Sequence, residues 1–256
     1  MLRLIFLLVL LLAAPAHAQP LPPAAPLHPS AAFTPLGPEQ ARGVLVWLHG
    51  SYDTDTQPSP PEPAWVRRAA DRGYDIWRFD RTPGHDPLAA GAESLARGLT
   101  ALRQGGYRRV IVAGHSRGAW IALSALAQPG LVDGVAAFSP AAHGTSPARR
   151  EQALADFSAL VHAAVHAPET RVVYASFADD PLGPGPAAQL AMMRDVAEHR
   201  GLKLLPIVQP KEPTGHMGVY EQKFDRLFGA LVVRFLDPEA KRIAPRPRAA
   251  SGKAPT

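Results

Sequence analysis

Residues 110–118 read VIVAGHSRG and run straight into AWIALSALA at 119–127. The first four residues are a β-branched apolar run, the signature of a buried strand. Arg117–Ala127 is apolar nearly all round, as a helix enclosed on every side must be. Only Gly114-His115-Ser116-Arg117-Gly118 separates the two, so the chain must turn from strand to helix within a few residues. A serine at such a turn lifts its hydroxyl at the carboxyl edge of a sheet, with a helix N-terminus beneath it. Glycines at two positions to either side leave room where side chains would collide. A chance Gly/Ser turn is the plain alternative, and the strand–turn–helix context argues against it.

The same alternation spreads outward. Gly43–Leu48 (GVLVWL), Tyr74–Phe79 (YDIWRF), Val132–Phe138, Arg171–Phe177 (RVVYASF) and Lys203–Val208 read as further strands. Helices are expected at Glu62–Asp71, Pro87–Arg103, Ala148–Val165, Pro186–Arg200 (stopped by Gly201) and Val219–Phe235. In the last of these Tyr220, Phe224, Leu227, Phe228, Leu231 and Phe235 recur at helical spacing. Apolar strands without alternation, separated by helices, predict an α/β fold: a mostly parallel sheet with helices on both faces, in a single domain. Any strand earlier than Gly43 must lie in the proline-dense stretch 19–38 or be absent.

Composition narrows the function. The chain has 256 residues, no cysteine and a formal charge of +5. The absence of cysteine excludes disulfides, thiol nucleophiles and Cys-ligated zinc. Arg3 and the five basic residues of 238–256, set against Glu239, account for the whole excess charge. The body, 19–237, is therefore neutral, which argues against a nucleic-acid face. Residues 1–18 (MLRLIFLLVLLLAAPAHA) have one arginine, a short apolar run and Ala16-His17-Ala18, the pattern of a cleaved secretory signal. That predicts export, to the periplasm or outside the cell, with no stable membrane anchor after cleavage. Residues 19–38 read as an extended proline-rich leader, 39–237 as the folded domain and 238–256 as a flexible basic tail.

With these residues in place, the chain over roughly 42–236 resembles the α/β-hydrolase family, in which nucleophile, acid and histidine follow in that chain order. The resemblance implies a serine hydrolase with Ser116 in the nucleophile elbow and His216, in Thr214-Gly215-His216-Met217, as general base and then acid. It implies an acid in Ala178-Asp179-Asp180-Pro181, which would fix the tautomer of the imidazole. Asp179 is the favoured acid, because the family's acid usually stands three residues after a small residue closing the strand, here Ser176; Asp180 is the alternative. His49-Gly50-Ser51-Tyr52 matches the oxyanion loop, so the backbone N–H groups of Ser51 and Arg117 would form the oxyanion hole. Tyr52 and Trp65 are candidates for a pocket wall, although both could equally be packing residues. His49, His85, His115 and His143 lie near strand ends but not at the family's base position, and are read as supporting or structural. Asp53-Thr54-Asp55 lacks the glycine and glutamate of a calcium loop.

The large lid that many members insert is missing, since 139–170 leaves space for one helix and its loops. No metal or organic cofactor is expected, because the serine mechanism needs none. The reading is an exported esterase on short-chain or small soluble esters. An amidase or peptidase, a lactone or dienelactone hydrolase and an acyltransferase would use the same triad, and a silent binding member would keep only the fold.

Overall fold

The computed structural model describes residues 27–51, 60–82 and 86–239. The expected signal segment 1–18, Tyr52, the Asp53–Asp55 stretch, His85 and nearly all of the basic tail lie outside the described residues.

Seven strands form one sheet in the order β1-β3-β2-β4-β5-β6-β7. They are β1 (Leu27–Pro29), β2 (Gly43–Leu48), β3 (Tyr74–Phe79), β4 (Val110–His115), β5 (Gly134–Phe138), β6 (Arg171–Ser176) and β7 (Lys203–Val208). All neighbours from β3 to β7 pair in parallel, while β1 lies antiparallel on the edge of β3, with Leu27 opposite Phe79 and Pro29 opposite Trp77. The one early strand thus sits in the proline-rich leader. Its edge position suits proline, which has no N–H to give to a central ladder. His28 also anchors it, its Nε2 lying 3.0 Å from Asp80.

Side-chain alternation along the central strands feeds two separate apolar layers. Val44, Val46 and Leu48 of β2 pack with α2 (Leu88–Gln104), α3 (Arg117–Ser124), α4 (Arg150–His162) and α5 (Pro186–Arg200). Leu45 and Trp47 pack on the opposite face with α1 (Val66–Ala70) and the final helical run. That run is α6 (Gln222–Phe224), a π-helical turn over Asp225–Gly229 and α7 (Ala230–Leu236). Both faces are therefore covered, which is why the strands read as unbroken apolar segments rather than alternating ones.

The element limits differ from the sequence reading mainly at helix ends. The helix expected over 62–71 shrinks to Val66–Ala70, because Pro61 and Pro63 precede it and an amide-poor start cannot propagate backwards. Residues 125–127 tighten into a 3₁₀ turn after α3. Tyr220 is on a 3₁₀ turn ahead of the final helix, not on its apolar stripe. Between β5 and β6 there is α4 with its short lead-in turn and no inserted domain.

The sheet's amino-terminal edge is held by a buried charge. The Asp237 carboxylate is fully enclosed and accepts from Arg42, from the Tyr74 hydroxyl at 2.6 Å and from Arg109 at 2.6 Å. Burial alone would raise its pKa, but the hydrogen bonds from Arg42 and Tyr74 and the charges of both arginines hold it far below the usual carboxylate range. A depressed folded-state pKa means that its stabilisation is complete above the unfolded value and is lost as pH falls towards the folded one. Asp237→Asn should destabilise the fold by about 3 kcal/mol near neutral pH, the low end for a broken buried pair because both arginines keep some water. Urea unfolding of both proteins across pH would show that gap narrowing below about pH 4, the unfolded carboxylate value.

Candidate active site

The turn after β4 is as tight as its sequence requires. Ser116 has φ 54° and ψ −121°, a conformation that L-residues rarely adopt and that costs roughly 1–3 kcal/mol. The surroundings impose it. A Cβ on Gly114 would overlap the Gly118 carbonyl, and one on Gly118 would overlap the carbonyls of Leu48 and His49. The Ser116 N–H donates to the Phe138 carbonyl at 3.0 Å, and its own carbonyl accepts from Trp120 at 3.2 Å. Arg117 opens α3, so the helix itself offers its amide no acceptor.

His216 reaches the same place from the loop after β7. Its Nδ1 lies 2.9 Å from both carboxylate oxygens of Asp180, whose side chain is 3% exposed. Burial tends to raise the Asp180 pKa, but the His216 hydrogen bond and charge and the Leu182 amide outweigh it, so the carboxyl sits below its ordinary value. It is an anion facing an imidazole N–H. Asp179, the favoured acid in the sequence reading, is instead exposed and makes no hydrogen bond or ion pair with His216. Its φ of 58° places it in a left-handed turn, which swings its own side chain outward and delivers the next one to the histidine. The partner of His216 is therefore Asp180, and Asp179 is corrected to the turn residue.

Ser116 and His216 line one cavity of about 520 Å³, together with Gly50, Ser51, Arg117, His115, Met217 and Tyr220. No hydrogen bond joins the Ser116 and His216 side chains directly. Trp65, a candidate pocket wall, is not part of this lining. It is completely buried on the far side of the sheet, 6.2 Å from Trp47 and 5.4 Å from Phe138 between ring centroids, because an indole beside α1 is drawn into the apolar layer.

Two neutral histidines brace the site. His115 is buried, which lowers its pKa to about 4. Its Nε2 lies 2.8 Å from the His216 carbonyl and so must carry the proton, while the two rings meet at a tilt of 54° with centroids 4.6 Å apart. His49 is likewise lowered to about 4 by burial and the charge of Arg81. Its Nδ1 donates to the Gly50 carbonyl at 2.7 Å and its Nε2 accepts the Arg81 N–H at 3.0 Å. Both were expected to be supporting residues.

Arg81 and Asp86 escaped the sequence reading. The Arg81 guanidinium, fully buried, donates to the carbonyls of His49 at 3.0 Å and Gly50 at 2.5 Å. Asp86 bridges it to Arg117, at 3.2 and 3.3 Å, and Arg117 Nε donates to the Ser51 hydroxyl at 3.0 Å. The loop holding Ser51 is thereby clamped against the start of α3. The available signal was only an arginine just past the end of β3, too common to single out. Among the described residues no cluster of three metal-ligating side chains is present. No helix among them is long and apolar enough to cross a membrane.

A family model described as the alpha/beta hydrolase family matches residues 45–254. The chain belongs to the alpha/beta hydrolase family. No curated protein matches this hydrolase in sequence. Among solved structures it is similar to an esterase of Pyrococcus furiosus, with a TM-score of 0.54, 14% identity and coverage of 80% of this chain and 84% of that one. A phospholipase/carboxylesterase of Dyadobacter fermentans gives a TM-score of 0.53 and 15% identity, covering 82% of this chain and 99% of the other. A prolyl endopeptidase gives 0.55 and 13%, but this hydrolase covers only 34% of that longer chain. At such identities the likeness concerns the fold.

Asp180→Asn should reduce kcat by about three to four orders of magnitude, since an amide cannot hold the same imidazole tautomer. Asp179→Asn should stay within a few-fold of the parent, because asparagine tolerates the left-handed turn. Steady-state kinetics of the two variants, on any ester the enzyme turns over, checks the assignment.

Proposed function

We propose that this alpha/beta hydrolase is a serine hydrolase that cleaves small carboxylic esters through an acyl-enzyme on Ser116. The observation that carries the reading is the strained Ser116 on its elbow, opening onto the same cavity as the buried Asp180–His216 pair. In the proposed cycle His216 Nε2 takes the Ser116 proton as Oγ attacks the ester carbonyl. Nucleophile–base hydrogen bonds of this kind often tighten only when substrate is bound, so their absence beforehand does not weaken the assignment. Asp180 stabilises the imidazolium that forms. The N–H groups of Ser51 and Arg117 would receive the developing oxyanion, and the Arg81–Asp86–Arg117 clamp supports this by fixing both peptides beforehand. The alcohol leaves with the proton held on His216. Water then attacks the acyl-enzyme by the same route in reverse.

Small, soluble esters are favoured because no lid domain is inserted between β5 and β6 and the cavity wall carries Asp86, Arg117 and His216. A long acyl chain gains about 0.8 kcal/mol per methylene only where an apolar wall can bury it. The N-terminal sequence supports an exported enzyme, working in the periplasm or outside the cell without a stable membrane anchor. Nothing in the chain calls for nucleic acid as a partner.

A fluorophosphonate probe should label Ser116, with the modified peptide identified by mass spectrometry. Ser116→Ala should lose both labelling and turnover while keeping its melting temperature. Ester hydrolysis by the purified alanine variant at the parent rate would overturn the mechanism. Across p-nitrophenyl esters of increasing acyl length, kcat/KM should be highest for the short chains and should not jump when micelles form. A maximum at long chains would overturn the preference for short acyl groups.

A further inference from the structure

Beside the cavity at Ser116 lies a second hollow of about 130 Å³, and Ala142, Gly144 and Leu182 line both. Two loops enclose this hollow. One follows β5 and leads into α4, and the other is Pro181–Pro184, after Asp180. Its lining includes Arg149 and Arg150 and not one carboxylate. Among the described residues neither arginine makes an ion pair or a side-chain hydrogen bond.

Both residues are exposed, as are Arg108, Arg194, Arg226 and Arg234, which likewise have no ion pair or side-chain hydrogen bond among the described residues. Arg42, Arg68, Arg78, Arg81, Arg97, Arg103, Arg109 and Arg117 each have a carboxylate partner. Arg149 and Arg150 also stand next to each other at the start of α4, the helix end that disfavours positive charge. Glu151, the next residue, pairs with neither. The other charges near the groove are already matched: Asp86 by Arg81 and Arg117, and His143 by Asp156 at 2.7 Å. The second hollow is therefore bordered by two exposed arginines and by no carboxylate.

We propose that this second hollow is a subsite for a carboxylate at the far end of the substrate, so that the enzyme prefers esters carrying a free acid group. The proposal rests on the Ser116 reading and specifies its substrate class. Arginine's planar fork of donors suits a carboxylate, and two such forks beside the neighbouring hollow would fix both the sign of the group and its distance from Ser116. Chain length between ester and acid should then matter, with an optimum rather than a steady trend.

The test uses the full-length enzyme and a pH-stat. One series is the monoethyl esters of straight-chain dicarboxylic acids from succinic to suberic, compared with ethyl esters of monocarboxylic acids of equal length. A second series, acetyl esters of ω-hydroxy acids against acetyl esters of the matching alcohols, places the acid on the leaving group. We expect at least one acid-bearing series to exceed its neutral counterpart in kcat/KM by about tenfold or more at its best length, the scale of a charge-assisted hydrogen bond. The preference should shrink with added salt. Arg149→Gln combined with Arg150→Gln should erase it while leaving neutral esters and fluorophosphonate labelling of Ser116 unchanged. Equal rates for acid and neutral esters in both series, or a preference that survives the double substitution, would overturn the subsite while leaving the Ser116 mechanism standing. Loss of labelling at Ser116 in the parent enzyme would instead remove the mechanism on which the subsite depends.

Discussion

Gly118 lies so close to the carbonyls of Leu48 and His49 that no side chain could stand between them. This approach of α3 to the end of β2 is the constraint on which the rest of the site depends. It brings a helix N-terminus to the carboxyl edge of the sheet with no intervening loop, and so forces the positive φ at Ser116. Ser51 and Arg117 line the same cavity as that serine. Burial of the apolar helix Arg117–Ser124 between sheet and outer helices supplies the free energy that holds the strain.

The strain is not confined to one residue. The described non-glycine residues with positive φ are Ser116, Ser139, Asp179 and Gln209. Each follows, within three residues, the carboxyl end of one of the successive strands β4, β5, β6 and β7. The chain turns abruptly at this edge because parallel strands end in step there and the helices start close by. Charges are arranged to match. At the opposite edge Asp237 draws in Arg42, Arg109 and Tyr74 and closes the fold, with all its partners satisfied. At the carboxyl edge Arg81 and Asp86 hold backbone carbonyls and Arg117, while Arg149 and Arg150 are left with no protein partner.

Much of this was legible in the residue order. The strands are short apolar runs that no other element accommodates, and GHSRG between a β-branched run and an apolar helix admits one geometry. Six of the seven strands and the place of the elbow follow from these two features. The edge strand Leu27–Pro29 could not be read, since three residues in a proline-rich stretch carry no periodicity. Trp65 was ambiguous for a related reason: a large aromatic after a loop can face a cavity or a core, and sequence does not say on which side of the sheet α1 will pack.

Sequence alone determined the alternation of strand and helix, the apolar content of both sheet faces, the position of Ser116 and the loop that carries His216, because local sterics and burial decide these one segment at a time. Only the tertiary structure decided between Asp179 and Asp180. The two carboxylates are chemically identical neighbours, and a left-handed turn at the first sends the second to the histidine. Tertiary structure likewise decided that Arg81 holds the Ser51 loop and that Arg149 and Arg150 line a hollow adjoining the Ser116 cavity. Those contacts join segments far apart in the chain, and their geometry is fixed by how parallel strand ends line up across the sheet rather than by any local pattern.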